Sequence, residues 1–357
     1  MGKFQFWLPT KLTRQQQKAV DSSSAIFLTG VPGTGKTVVS IFRLLAGVKN
    51  NQKAILFTFG KLLRKTIEEK VDHQANIDNI HRWLWNIQGE SNKKYLEEFL
   101  SDTNIEEAIE IIKAQGIVYD QILVDEGQDL SVNTYKLLSQ LTSNLSISAD
   151  QAQQINNKEY ATNENEIKEI FPALREFEMD EIFRSSYELY RFAIQFVPNN
   201  ARAHNPTLLE RLKKNNSGAD EPYVYLTKNL NAMYDVVKEI IDDNPTDNIG
   251  ILFEEILPIT QFAKVLEKDY ELSTYHSKQD VPNELKNIII TTFKSAKGVE
   301  FDIVIIPHFQ DSEVSMEEYY VGVTRAKHQV HFLAIGEIPD MIKDFNTDSY
   351  ELIDERD

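Results

Sequence analysis

The sequence predicts an α/β protein made of two parallel-sheet domains, and three observations predict it. Short apolar runs alternate with amphipathic helical stretches along both halves of the chain, the order that lays helices over a mostly parallel sheet. The stretch Gly30-Val-Pro-Gly-Thr-Gly-Lys-Thr37 stands between an apolar run and a helical one, the context a phosphate-cradling loop requires. The length of 357 residues is enough for two domains, each with its own core.

Composition narrows the classes. Hydrophobic residues at 41% and charged residues at 26% are ordinary for a globular chain. No apolar run approaches a membrane span, and Met1-Gly-Lys-Phe-Gln-Phe6 lacks the apolar core of a secretion signal. The absence of cysteine excludes disulfides, thiolate zinc sites and iron–sulfur clusters. The expectation is a cytoplasmic protein with no membrane partner. A net charge of −17 argues against generic coating of nucleic acid. It leaves room for a narrow basic track on an acidic body, because local field steers a ligand.

In chain order, Leu12 to Val20 reads as a short amphipathic helix. It carries Gln16, whose amide has the donor and acceptor that an adenine edge demands; read alone, Gln16 suits a surface position as well. Ala25 to Thr29 reads as a buried strand. Gly30, Gly33 and Gly35 let backbone N–H groups close around phosphate oxygens, with Thr34 in the same cradle, and the next helix adds its positive dipole end. Lys36 should reach the β- and γ-phosphates, and the Thr37 hydroxyl should ligate Mg²⁺. The loop therefore predicts a nucleoside triphosphate, with ATP and Mg²⁺ as the cofactors expected.

Lys53 to Phe59 reads as a strand, and Gly60-Lys-Leu-Leu-Arg-Lys-Thr-Ile67 as a basic amphipathic helix bearing Lys61, Arg64 and Lys65. Next, Trp83 and Trp85 stand beside His81 and Arg82. Aromatics among basic residues suit base stacking, although both tryptophans also suit a core. Residues 86–115 read as a polar, helical excursion. Ile122, Leu123 and Val124 then form a buried strand whose end presents Asp125 and Glu126, where open α/β sheets bind ligands. Asp125 can hold Mg²⁺ through water, and Glu126 can orient or deprotonate an attacking water. Leu145 to Ala149 is another strand, followed by Gln153 as a candidate γ-phosphate sensor.

Asn163 to Ile170 reads as an acidic helix, and Arg184 stands isolated ahead of a helix from Tyr187 to Phe196. Residues 198–221, rich in Asn, Pro, Lys and Gly, read as an irregular connection. After them strands at Tyr223, Ile249, Ile288, Asp302 and Gln329 alternate with helices at Asn229, Ile256 and Met316. That is a second parallel α/β sheet with no P-loop. Asp344 to Asp357 reads as an acidic, solvated tail. The domains expected are residues 1–180, with the insertion at about 86–115, and residues 181–357.

These motifs follow one another in a family's order. The chain resembles the UvrD/Rep-type superfamily 1 helicases, and the resemblance spans about residues 10–335. It implies two RecA-like domains with the ATP site in the cleft between them. Thr13-Arg-Gln-Gln-Gln17 resembles the adenine-reading motif, with Gln16 at its key position. Gly30 to Thr37 matches motif I, Thr58-Phe59 and the helix after them resemble a DNA-contacting motif, and Asn79-Ile-His-Arg-Trp83 resembles the next. Asp125-Glu-Gly-Gln-Asp129 matches the DExQD signature, which makes Gln128 a coupling residue. Ala149-Asp-Gln-Ala-Gln-Gln-Ile155 resembles motif III. Phe183-Arg-Ser-Ser186 resembles motif IV, which implies that Phe183 stacks on adenine and that Arg184 is an arginine finger. Thr291 to Phe301 matches motif V, with Glu300 implied at the ribose. Tyr320-Val-Gly-Val-Thr-Arg-Ala-Lys327 matches motif VI, with Arg325 implied as a second finger.

The departures shape the functional expectation. Phe183 stands for a usual Tyr, Lys294 for a usual His and Ala149 for a usual Gly; Asn156-Asn-Lys158 occupies the place of a base-stacking Trp-Arg pair. Both accessory subdomains are reduced. The expectation is a stripped motor core hydrolysing ATP on single-stranded DNA, with RNA an open alternative. Phe59, His81 and Trp83 would stack on bases, and Lys61, Arg64 and Lys65 would meet phosphates. The other expectation is an ATP-driven switch that gates a partner such as a nuclease, as in short members of anti-phage systems.

Overall fold

The computed structural model describes residues 3–4, 6, 8–88, 105–155, 161–199, 201–215, 222–309 and 315–356. The middle of the expected insertion, residues 89–104, and the Asn156-Asn-Lys158 stretch lie outside the described residues. The chain divides into two units, Trp7–Asp180 and Glu181–Asp357, the second also taking Met1–Phe6. The amino-terminal end thus groups with the C-terminal unit and not with residues 8–180. The reason is apolar and local: the Phe4 ring meets the edge of Phe301 at 5.9 Å, and its N–H donates to the Leu285 carbonyl at 3.0 Å.

The N-terminal unit holds strands β1 (Ile26–Gly30), β2 (Ala54–Thr58), β3 (Ile77–Asn79), β4 (Gln121–Val124), β5 (Leu145–Ala149) and β6 (Arg175–Met179). They form one parallel sheet in the order β3-β2-β4-β5-β1-β6. Strands β1, β2, β4 and β5 are buried along their whole length, which is why they read as continuous apolar runs. Two strands escape that pattern. β6 is an edge strand, Arg-Glu-Phe-Glu-Met, whose polar residues are exposed, and β3 is three residues long. The helix Ile105–Ala114 buries Ile105, Ala108 and Ile112, at helical spacing, on the same core as Phe57, Ile122 and Leu138. Because β4, β5 and β1 are neighbours, the loops leaving their C-terminal ends lie side by side.

The C-terminal unit holds β7 (Tyr223–Thr227), β8 (Ile249–Phe253), β9 (Ser273–Thr274), β10 (Ile288–Thr292), β11 (Phe301–Ile306), β12 (Ala326–Ile335) and β13 (Glu351–Glu355). All pair in parallel, in the order β13-β7-β12-β11-β8-β10-β9. The helices Leu230–Asp243 and Ile256–Leu266 bury Val237, Ile241, Phe262 and Leu266 against Ile249, Ile251 and Ile303. A separate aromatic core joins Phe192, Phe196, Phe309, Tyr319, Phe332 and Phe345, with Phe309 and Phe332 only 4.5 Å apart at their ring centres.

Two expectations are corrected here. Residues 198–221 contain a helix, Pro206–Asn215, led by Pro at its first position and burying Leu208 and Leu212. The acidic tail is not wholly solvated: β13 pairs residue for residue with β7, from Glu351 against Tyr223 to Glu355 against Thr227. An exposed edge strand needs no apolar run, so its charge concealed it. Among the described residues no helix is long and apolar enough to cross a membrane.

Candidate active site

The P-loop leaves β1 at Gly30 and enters the helix Lys36–Lys49. Gly30, Gly33 and Gly35 have φ of 151°, 78° and 87°, which only glycine adopts without strain. A Cβ on Gly30 would lie 2.7 Å from the Met179 carbonyl oxygen. Thr34 turns its hydroxyl into the loop, donating to the Val31 carbonyl at 2.8 Å, so it shapes the cradle. Lys36 is buried and donates to the carbonyls of Gly30 (2.7 Å) and Val31 (3.1 Å), with the Asp150 carboxylate at 3.6 Å. Gln16 is buried beside the loop. Its Oε1 accepts from the Thr13 N–H at 3.1 Å and its Nε2 donates to the Thr34 carbonyl at 3.3 Å. Each end of the amide has one bond within the protein, so Gln16 braces the P-loop.

Thr37 and Asp125 meet where β1 and β4 end: the hydroxyl donates to the carboxylate at 2.8 Å. Ser148 on β5 donates to the other Asp125 oxygen at 2.5 Å. Burial pushes the Asp125 carboxyl above its ordinary value and Glu126 adds to this; Ser148, Thr37 and Lys36 oppose it. Two hard oxygen ligands this close fit Mg²⁺, and a carboxyl in such a setting carries its charge readily once a cation balances it.

Glu126 has φ of 55°, in the left-handed region. The other described non-glycine residues there are Asn, Asp or His, which tolerate it better. Gln128 holds this strained residue by donating to its carboxylate at 2.6 Å. The Gln128 carbonyl oxygen Oε1 accepts from the Asp150 N–H at 3.0 Å, and Asp150 accepts from the Gln153 amide at 2.7 Å. Lys36, Asp150, Gln153, Gln128 and Glu126 are thereby one buried network. Sequence reasoning passed over Ser148 and Asp150. The available signal was a polar residue inside an apolar strand and an acid at its carboxyl end.

In the C-terminal unit Phe183 is 44% exposed, unusual for a ring of that size. Arg184 donates to the Thr324 carbonyl at 3.0 Å and pairs with the Glu300 carboxylate. Arg325 is 1% exposed, and its Nε donates to the Val321 carbonyl at 3.2 Å.

The AAA domain family matches residues 15–157, which take in Lys36, Thr37, Asp125, Glu126 and Gln153. The UvrD-like helicase C-terminal domain family matches residues 287–333, which take in Glu300 and Arg325. The chain belongs to the UvrD-like superfamily 1 helicases. Helicase domains of this kind support a nucleic-acid-directed, ATP-driven motor. No curated protein matches this helicase in sequence. Among solved structures, the C-terminal domain of a possible DNA helicase from Lactobacillus plantarum WCFS1 is 22% identical over 48% of this chain and 98% of that one, with a TM-score of 0.37. The PRRSV helicase is 12% identical over 89% and 54%, with a TM-score of 0.43. A variant of S. cerevisiae Dbp5 bound to RNA and ADP BeF3 is 13% identical over 97% and 90%, with a TM-score of 0.56. With the last the helicase shares its fold of two RecA-like domains.

The residues expected along a nucleic-acid track divide. Trp83 is 6% exposed, packs on Phe57 at 5.2 Å and donates its indole N–H to the Tyr119 hydroxyl at 3.1 Å. It belongs to the core, and the expectation that it stacks on bases is corrected. Arg64 is paired with Glu68 at 2.5 Å and Lys65 with Glu69 at 2.8 Å, each one turn along the same helix. Their charge is largely balanced in place. Phe59 is half-buried, its ring 6.1 Å from that of the exposed His81, and Lys61 is exposed at the start of the helix Lys61–Lys70. Asn79, which sequence reasoning did not single out, fixes this corner. Its amide donates to the Thr58 carbonyl at 3.3 Å and to the Phe59 carbonyl, and its oxygen accepts from the His81 N–H at 3.0 Å.

Proposed function

We propose that this helicase chain hydrolyses ATP to ADP and phosphate and couples the reaction to movement on single-stranded DNA. The observation that carries the reading is the buried network around Lys36, with the Thr37–Asp125 contact beside it. Loop amides take the phosphates, and Lys36 exchanges two neutral carbonyls for anionic phosphate oxygens, a stronger class of partner. Thr37 and Asp125 would hold Mg²⁺, which would supply charge to offset that of the phosphates. Glu126 orients the attacking water or takes its proton, and Gln153 senses the γ-phosphate. Phe183 stacks on the adenine, and Arg184 and Arg325 neutralise charge in the transition state. Phe59, His81 and Lys61 are the track. DNA is preferred over RNA on the UvrD-like match at residues 287–333.

A second reading has an observation in its favour. Trp83 is in the core, and Arg64 and Lys65 are paired within their own helix. A thin track of this kind suits a switch whose hydrolysis gates a protein partner such as a nuclease. One experiment separates the two: steady-state ATPase at low salt with single-stranded DNA, single-stranded RNA, duplex DNA and no nucleic acid. The motor predicts strong stimulation by single-stranded DNA. Turnover unchanged by any nucleic acid refutes it in favour of the switch, and stimulation by RNA alone reverses the substrate. In the same assay Lys36→Ala abolishes hydrolysis, while Glu126→Gln binds ATP without turning it over.

A further inference from the structure

Arg184 lies three residues past Glu181, where the C-terminal unit begins, and its guanidinium is committed on two sides within that unit. One nitrogen donates to the Thr324 carbonyl at 3.0 Å and another is paired with the Glu300 carboxylate. The pair is largely withdrawn from solvent, at 12% and 21% side-chain exposure. Glu300 immediately precedes β11, and Thr324 caps the helix Met316–Val323. Both partners of Arg184 therefore adjoin regular structure, one at the start of a strand and one at the end of a helix. Burial by itself would raise the Glu300 carboxyl; Arg184, Lys327 and Arg325 overcome that and hold it below its ordinary value. Lys327 has a carboxylate of its own, Asp302, at 3.4 Å.

We propose that Glu300 is a positioning residue for Arg184, holding the guanidinium against repulsion from Arg325 and Lys327 for its part in ATP hydrolysis. The inference rests on the reading of Arg184 as a transition-state residue, and it gives Glu300 a role other than reading the ribose. A charged group aids a transition state to the extent that it is held in place beforehand, and arginine is a long side chain with many rotamers. A ribose hydroxyl is a neutral donor. Its hydrogen bond to a carboxylate lacks the second charge that a guanidinium brings, so the pairing with Arg184 is the stronger claim on Glu300.

The test compares Glu300→Gln, Arg184→Ala and the double variant in full-length protein, with ATP and with 2′,3′-dideoxy-ATP, in the presence of saturating single-stranded DNA. The expected result is a kcat lowered about ten-fold or more by Glu300→Gln, with KM for ATP changed less than about three-fold. The double variant should be no slower than Arg184→Ala, because one residue acts through the other. The loss should be the same for both nucleotides. Additive losses overturn the proposal. So does a Glu300→Gln loss seen with ATP and absent with the dideoxy nucleotide, which assigns Glu300 to the ribose. A normal kcat for Arg184→Ala removes the underlying reading instead, and the single variant reports that separately. Should Glu300→Gln fail to fold, Glu300→Asp, one methylene short, must give the same division between kcat and KM.

Discussion

His331 makes acid stability a test of how the C-terminal sheet is built. It stands on β12 opposite Tyr223 of β7, stacked on that ring at 5.0 Å and 11°, with Tyr225 at 5.8 Å. It is 4% exposed; Nε2 lies 3.0 Å from the Gln329 carbonyl oxygen Oε1, and Nδ1 has no hydrogen-bond partner among the described residues. Burial lowers its pKa from 6.5 to about 3. Because the folded value is the depressed one, the unfolded chain takes up the proton first as pH falls. The stability tied to neutral His331 is full above about pH 6.5 and is lost progressively down to about pH 3. At pH 5 the unfolded imidazole is about 1.5 units below its pKa while the folded one is still neutral, so the loss relative to pH 7.5 is about 2 kcal/mol. His331→Phe keeps a flat ring in the stack and removes the titration. The assay must read the right unit: tryptophans stand at 7, 83 and 85, none of them in Glu181–Asp357. Hydrogen exchange of the β12 amides, corrected for intrinsic rate, serves. The variant should lose about 2 kcal/mol less than the parent between pH 7.5 and 5. Equal losses in the two proteins would show that His331 is not buried neutral, and the reasoning would fail.

Other outcomes follow from particular contacts. Gly127→Ala places a Cβ 2.5 Å from the Tyr135 hydroxyl and 2.6 Å from Ile147 Cγ2, so overpacking should cost about 1–3 kcal/mol in urea unfolding and depress ATPase. Gly116→Ala, with φ of 63° and no atom within 4 Å of the added carbon, should cost only the backbone term of about 1–2 kcal/mol and leave ATPase unchanged. Trp83→Ala should lower stability by about 3–5 kcal/mol, as for a buried aromatic. Phe59→Ala should instead weaken single-stranded DNA binding by about 1–3 kcal/mol in a fluorescence titration while the fold is retained. Arg325→Ala should lower kcat by on the order of 10³-fold or more with nucleotide affinity near normal; loss of affinity with normal turnover of bound ATP would place it outside the transition state.

Much of this chain was legible because its chemistry is local. The P-loop needs three glycines whose φ is positive and a lysine and hydroxyl at set offsets, and each is written in eight consecutive residues. Strands β1, β2, β4 and β5 are buried on both faces, so their apolar runs announce themselves, and the acids that follow β4 are where such a sheet presents ligands-to-be. Edge elements were hidden by the same physics. β6 and β13 satisfy backbone hydrogen bonds on one side only and carry charge freely, which makes Arg-Glu-Phe-Glu-Met and Glu-Leu-Ile-Asp-Glu look unlike strands. Side-chain allegiance was decided by tertiary structure alone. Trp83 beside His81 and Arg82 is equally a stacking platform or a core residue until Phe57 on β2 and Tyr119 just ahead of β4, both distant in sequence, close over it. Gln16 reads as a surface residue until the fold buries it and joins its amide to Thr13 and Thr34. Asp150 and Ser148 gained their place from sheet order, since only the adjacency of β4, β5 and β1 brings Lys36 and Asp125 within their reach. Motif spacing records which groups the chemistry needs. Which of them meet is set by strand order, and that depends on contacts between residues far apart in the chain.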